Sequence, residues 1–201
     1  MARTRSITDE QILAAARAEF LERGIQATTA DVARRAGIAE GTIFNRFKTK
    51  HELFVSAMNL DEPDWFAFVD KKVGQGEPRT TLIEIALEIL QFFRQLMPIM
   101  MMGWANPSPR GIPPMLEGPN PPPLRAIKKL AGFFEAEMRA NRLRRHDPEV
   151  VARCFLGSLQ SYVFFELLMK AQDELPLPPE MHVRGVVNLL WNGLALAGKK
   201  T

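Results

Sequence analysis

The chain has 201 residues, 46% of them apolar, a formal charge of +3 and one cysteine. That length suits one large helical domain, or a small domain followed by a larger one. A lone thiol excludes a disulfide framework or thiolate metal site within the chain, and so small a charge excludes a polycation, so any nucleic-acid surface has to come from local placement of Lys and Arg.

The opening, MARTRSITDEQ, carries Arg3 and Arg5 as a basic arm with no apolar run behind them, unlike a secretory signal. From there almost every long segment reads at helical period. Helix 1 opens on a capping box, Thr8 with Gln11, and Ile7 and Ile12 are placed as its hydrophobic staple. Ile12, Leu13, Ala16 and Phe20 line one face, and Gly24 suits the stop. A second box, Thr28 with Asp31, starts helix 2, which runs to Ala36. Gly37 can turn left-handed. Helix 3 starts near Ala39 or Glu40 and ends before a third box, Thr49 with Glu52. Two helices around a glycine turn within about twenty residues read as a helix-turn-helix, residues 29–48. Val32, Ala36, Ile38, Ile43 and Phe47 supply its buried side, and Ala33 is small where the helices cross.

Helix 4 is expected from Thr49 into the low 70s, and helix 5 over 79–97. Eight of the fifteen prolines lie between Pro107 and Pro123, which marks a loop, with room for a short helix 6 before it. Helix 7 follows over 121–141. Asp147 as N-cap and Pro148 in the first turn start helix 8, and helix 9 follows Pro179. The expected fold is all-α, about nine helices, with a helix-turn-helix domain over 1–52 and a larger helical domain over 53–201. Gln160, Glu166, Arg184 and Asn188 interrupt the most apolar segments, so a soluble, cytoplasmic protein without a membrane span is expected.

Thr42, Asn45 and Arg46 on helix 3 are side-chain types that bond base edges in the major groove. Lys48 and Lys50, at the next helix start, suit phosphate, as does the start of helix 2 at Thr28 and Thr29. From Thr28 to Lys50 there are five Lys or Arg against two acids. A solvated face on an ordinary three-helix unit would carry similar residues.

Residues 7–54, and above all ILAAARAEFLERGIQATTADVARRAGIAEGTIFNRFKTKHELF, resemble the N-terminal domain of the TetR family of bacterial transcriptional regulators. The resemblance implies DNA contacts at Thr29, Glu40, Gly41, Thr42, Phe44, Asn45, Arg46, Lys48 and Lys50. Phe44 stands where the family usually has Tyr, and Ala39 where it often has a capping Ser. Glu40 can accept from cytosine or favour the positive end of helix 3.

Helix 8 is apolar on nearly every side, and Gly157 and Ser161 would admit a neighbouring helix; helix 9 has Gly185 and Gly193. Both helices suit internal core. The resemblance implies that two subunits pair through them. It also implies a regulator, mostly a repressor, that binds a palindromic operator in duplex DNA and is released by a small apolar or aromatic effector. Candidate lining residues are Trp65, Phe68, Phe92, Met97, Met100, Met101, Trp104, Phe133, Phe155, Tyr162 and Phe165, a set that also serves as plain core. A helix-turn-helix dimer without inducer is the alternative. His51, His146 and His182 share no ligand or catalytic spacing and Cys154 is expected to be buried, so neither metal, cofactor nor catalysis is expected.

Overall fold

The computed structural model describes residues 7–58, 62–105, 113, 116, 119–169 and 177–194. Among these the chain is all helical, with nine α-helices, one 3-10 turn and no strand. It forms two compact units, Met1–Asp61 with Pro98–Gly118, and Glu62–Met97 with Pro119–Thr201.

In the first unit, α1 (Asp9–Arg23) begins at the expected capping box: Gln11 N–H donates to the Thr8 hydroxyl, and Thr8 N–H to Gln11 Oε1 at 3.1 Å. Gly24, at φ 61°, ends it. The second box starts α2 (Thr29–Ala36). Gly37 closes α2 at φ 69°, ψ 33°, a left-handed turn that a side chain would strain. Next come α3 (Glu40–Arg46) and α4 (Lys50–Met58). The third box forms only in part. Glu52 N–H donates to the Thr49 hydroxyl, but the Glu52 carboxylate accepts from Lys48 N–H at 2.9 Å, one residue earlier than expected.

Ile12, Ala16, Phe20, Val32, Ile43 and Leu53 are among the residues that bury the inner faces of these helices in one core, with Ile7 packed against it. Phe20 meets Phe54 edge-on at 5.2 Å. Glu19, almost sealed from water, is neutralised by Arg23 at 2.9 Å and Arg35 at 3.0 Å, which ties α1 to α2.

The Asp31 carboxyl sits at about 2. The Thr28 hydroxyl is the largest cause, then the Thr28 backbone N–H, with Arg34 and Arg23 adding smaller pulls. Its folded value lies below its unfolded one. The carboxylate therefore stabilises α2 fully above about pH 4, and that contribution is lost as pH falls through about 2. Thr28→Ala is expected to move the Asp31 midpoint, followed by carboxyl NMR, upward toward its ordinary value. An unmoved midpoint would refute the assignment to the cap.

Helix 4 does not run on into the 70s. α5 (Asp64–Lys72) is a separate element that starts after Pro63, whose φ −63° and ψ 134° are extended. Proline has no N–H to donate and clashes with the carbonyl four residues back, so a helix cannot pass through it cheaply. α6 (Pro78–Ala105) departs the other way: it continues past the expected stop at 97 and carries Pro98 inside. Buried Ile99, in the core of the first unit, supports that extension.

α7 (Pro122–Arg139), α8 (Pro148–Met169) and α9 (Pro179–Leu194) complete the second unit. Asp147 caps α8 as expected, accepting from Glu149 N–H at 2.9 Å and Val150 N–H at 3.0 Å. Trp65, Leu82, Ile85, Ile89, Phe134 and Phe155 are fully buried, and Phe134 meets Phe155 edge-on at 6.0 Å. Glu137 on α7 is also buried. It accepts Gly74 N–H at 2.5 Å and Arg142 Nε–H at 2.6 Å, and so pins the turn after α5. α6 and α8 are long and apolar enough to cross a bilayer by composition alone. Here Arg94 of α6 and Glu166 of α8 are joined by two hydrogen bonds, at 2.8 and 2.7 Å.

Candidate functional site

The geometry of α2 and α3 follows from which side chains they must hide. Val32, Ala33, Ile43 and Phe47 turn into the core. On α3 that leaves Gly41, Phe44, Asn45 and Arg46 exposed and Thr42 half-buried; Lys48 is exposed just beyond the helix, and Lys50 half-buried at the start of α4. Phe44, an aromatic, keeps 46% of its surface in water. Ala39 gives α3 no side-chain cap.

Two of the candidate contacts are joined to each other. The buried Thr29 hydroxyl donates to Glu40 Oε1 at 2.5 Å, which links the start of α2 to the start of α3. Thr28 is engaged by Asp31: its hydroxyl donates to Oδ2 at 2.7 Å and accepts the Asp31 N–H at 3.1 Å. Arg46 Nη1 reaches back to Asp9 Oδ1 at 2.5 Å. Asp9, at the start of α1, is a residue that the sequence reading did not single out. With the partners 37 positions apart, no local spacing could have signalled the pair.

The eleven candidate lining residues differ in burial. Trp65, Met97, Phe133 and Phe155 are buried; Phe68, Phe92, Met100 and Tyr162 are half-buried; Met101, Trp104 and Phe165 are exposed, Trp104 by 57%. Met100, Met101 and Trp104 belong to the first unit, the others to the second. Tyr162 donates its hydroxyl to the Leu177 carbonyl at 2.8 Å and stacks on His182 at 4.6 Å. Burial, then the Glu166 carboxylate, push the Tyr162 hydroxyl upward.

Phe133 does open onto a cleft of about 470 Å³ between α5 and α7. Phe66, Val69 and Val73 give the cleft an apolar floor, and Arg125, Lys128 and Lys129 stand at it with Glu62 and Asp70. Lys129 pairs with Asp70 at 2.8 Å. Arg125 Nε–H is sealed from solvent and meets no acceptor among the described residues; Trp65 Nε1–H is in the same state. Leaving such a donor unpaired costs about 1–3 kcal/mol. Phe66 and Arg125 escaped the sequence reading. Arg125 and Lys129, four apart beside the apolar run Ala126, Leu130 and Phe133, were the available signal. A second, polar groove of about 610 Å³ runs along Arg79, Arg142, Arg184, Asn188 and Trp191.

Cys154 is exposed, contrary to the expectation of a buried thiol. It lies in a stripe along one side of α8: Val150, Cys154, Gly157, Ser161, Phe165 and Leu168 follow each other at steps of three and four, and all are exposed. On α9, Met181, Gly185 and Leu189 do the same, with Leu189 exposed by 77%. The His, Cys, Asp and Glu side chains among the described residues form no group of three or more suited to a metal ion.

Residues 12–57 match the family described as bacterial regulatory proteins, tetR family. Residues 120–190 match the C-terminal domain of AefR-like transcriptional repressors. One similar solved structure concerns the control of antibiotic production by bacterial hormones; it is 23% identical, with 93% of this chain and 97% of that one covered and a TM-score of 0.68. The transcriptional regulator FadR from Bacillus subtilis, in complex with stearoyl-CoA, is 17% identical over 92% of this chain and 99% of its own, with a TM-score of 0.64. The flavonoid-responsive regulator FrrA is 21% identical over 94% and 97%, with a TM-score of 0.63. At these identities the likeness is one of fold.

Proposed function

Since the chain belongs to the tetR family of bacterial regulatory proteins, we propose that it is a dimeric, cytoplasmic transcriptional repressor that binds a palindromic operator and is released by a small, mostly apolar ligand. The observation that carries the reading is the outward face of α3. It presents hydrogen-bonding and cationic side chains from a helix whose other face is locked into a core. In this reading Thr42, Asn45 and Arg46 meet base edges. Thr28, Gly41, Phe44, Lys48 and Lys50 lie along the phosphates. Thr29 and Glu40, bonded to each other, set the angle between α2 and α3.

One helix-turn-helix covers only a half-site, so a second copy is needed, about 34–36 Å away. The exposed stripes of α8 and α9 support pairing through those helices. α6 supports a route for the effector. Leu82 to Leu96 contribute buried residues to the second unit, and Ile99 lies in the core beneath the reading helices. Ligand uptake in the second unit then acts through α6 on the first. Full release asks for roughly 10⁴-fold preference for the non-binding state.

A helix-turn-helix dimer without inducer is the alternative, and solid packing in the middle of each subunit would favour it. The cleft at Phe133 favours an effector. No catalytic step is part of the proposal.

Selection of bound genomic fragments tests the reading, and recovery of no duplex above background would overturn it. With an operator in hand, affinity is expected to fall steeply with salt. Arg46→Ala should cost about 1–3 kcal/mol at the cognate site and relax the preference for one base pair. Lys48→Ala should weaken all sequences alike and lower the salt slope by about 1. Equal loss on cognate and random DNA for Arg46→Ala would remove it from the base readers.

A further inference from the structure

The polar groove of about 610 Å³ lies wholly within the second unit, where the start of α6, the turn after α7 and one face of α9 meet. Each of these elements brings one guanidinium to it: Arg79, Arg142 and Arg184. Arg142 is engaged by Glu137 and by the carbonyls of Gln75 and Gly76. Arg79 is held by an amide instead of an acid, since its Nε–H and Nη2–H both donate to Asn188 Oδ1, at 3.2 and 2.6 Å. That neutral acceptor orients the guanidinium without cancelling its charge, and leaves Nη1 and the Asn188 amide nitrogen free to donate. Arg184 is exposed and has no hydrogen bond or ion pair among the described residues. Glu180, one turn earlier, is not paired with it; its charge acts on Arg94 and Tyr162.

Glu77 is the single acid among the residues that line the groove, and it has another task. Its carboxylate caps α6, accepting the Arg79 N–H at 3.0 Å, the Thr80 N–H at 2.7 Å and the Thr80 hydroxyl at 2.9 Å. The positive end of the helix thus answers its charge. Arg184, Asn188 and Trp191 follow each other at steps of four and three, so they share one face of α9, and Asn188 brings Arg79 to the same place. Trp191 and Ile83, both half-buried, give the groove an apolar side. Its volume falls in the small-molecule range of about 300–1,000 Å³. A neutral ligand gains nothing from the two unpaired guanidiniums, and a cation is repelled by them. A phosphate ester has enough terminal oxygens for both forks at once, and a ring attached to it can lie against an indole.

We infer that this groove binds a small organic phosphate that carries a ring, with the phosphate on Arg79 and Arg184 and the ring against Trp191. The inference goes beyond the proposed function and does not rest on it.

Calorimetry on the full chain at low salt tests it, with adenosine monophosphate, adenosine and inorganic phosphate as probes. The monophosphate is expected to bind saturably, one per chain, about tenfold or more tighter than either of the others. Arg184→Gln alters an exposed side chain, so the variant should fold, and its affinity for the monophosphate should fall to that for adenosine. Asn188→Asp keeps an acceptor for Arg79 but sets a carboxylate on it, and should abolish the phosphate preference as well. Trp191→Leu should bring the monophosphate to the level of inorganic phosphate. Equal affinity for adenosine and its monophosphate, or binding that does not saturate, would overturn the inference. So would a preference that survives Arg184→Gln and Asn188→Asp, since the anion would then sit on another basic surface. Inorganic phosphate bound as tightly as the monophosphate would overturn the placement of a ring on Trp191.

Discussion

Phe165→Glu with Leu189→Glu is expected to yield a folded monomer that has lost its grip on operator DNA. Both side chains are exposed in the subunit, so neither change disturbs the core, and circular dichroism should match the unaltered protein. In the proposed dimer they sit in the stripes where α8 and α9 of two copies meet. Two buried charges there oppose association, since central apolar anchors carry most of the binding energy of an interface. Losing the second reading head removes the gain from linked binding, about 10²- to 10⁴-fold in affinity. Sedimentation and operator titration read the two effects separately. Cys154 gives an independent check, because it lies in the α8 stripe. Its reaction with a maleimide should be slow in the unaltered dimer and fast in the double variant. Dimerisation undiminished by both glutamates would place the interface elsewhere.

The largest expected loss of stability is at Glu137. This carboxylate is 1% exposed and holds the Gly74 N–H and the Arg142 guanidinium. Glu137→Ala leaves a cation and a backbone donor without their partner. Removing one member of a buried pair costs about 3–5 kcal/mol, a large share of the roughly 5–15 kcal/mol typical of a whole domain. Urea unfolding should record it as a lower midpoint. The double variant Glu137→Ala, Arg142→Ala should recover part of the loss, because the stranded charge goes with its partner. A loss under about 1 kcal/mol in the single variant would mean that Arg142 is served well enough by the carbonyls of Gln75 and Gly76, which it also reaches.

What was legible beforehand is what is decided within a few residues. Thr8 with Gln11, Thr28 with Asp31, Gly37 and Asp147 act over one turn of helix, so their spacing carries their meaning. Pro63 and Pro98 show where local rules divide. At Pro63 the backbone preference wins and a new helix begins. At Pro98 the helix continues, with Ile99 buried in the first core; that burial is a tertiary fact. The same holds for Cys154, whose position on a long apolar helix suggested burial, whereas the apolar stripe around it faces outward. Thr29 with Glu40, Arg46 with Asp9, and the cleft of Phe66 and Arg125 join residues from different helices. Such partners depend on how the helices pack, which spacing along one helix does not encode.

If Arg46 reads bases as proposed, its tie to Asp9 bears on how the protein searches a chromosome. While Arg46 rests on the Asp9 carboxylate of its own chain, it would show passing duplex little naked charge, and the chain would slide over wrong sequences more loosely. Opening an exposed pair of this kind takes at most about 1 kcal/mol. A guanine presenting two acceptors returns about 1–3 kcal/mol, whereas a mismatched base returns too little to draw the side chain away. In the proposed reading Asp9 is thus a decoy for its own reader, and should trim chance adhesion more than it weakens the correct address.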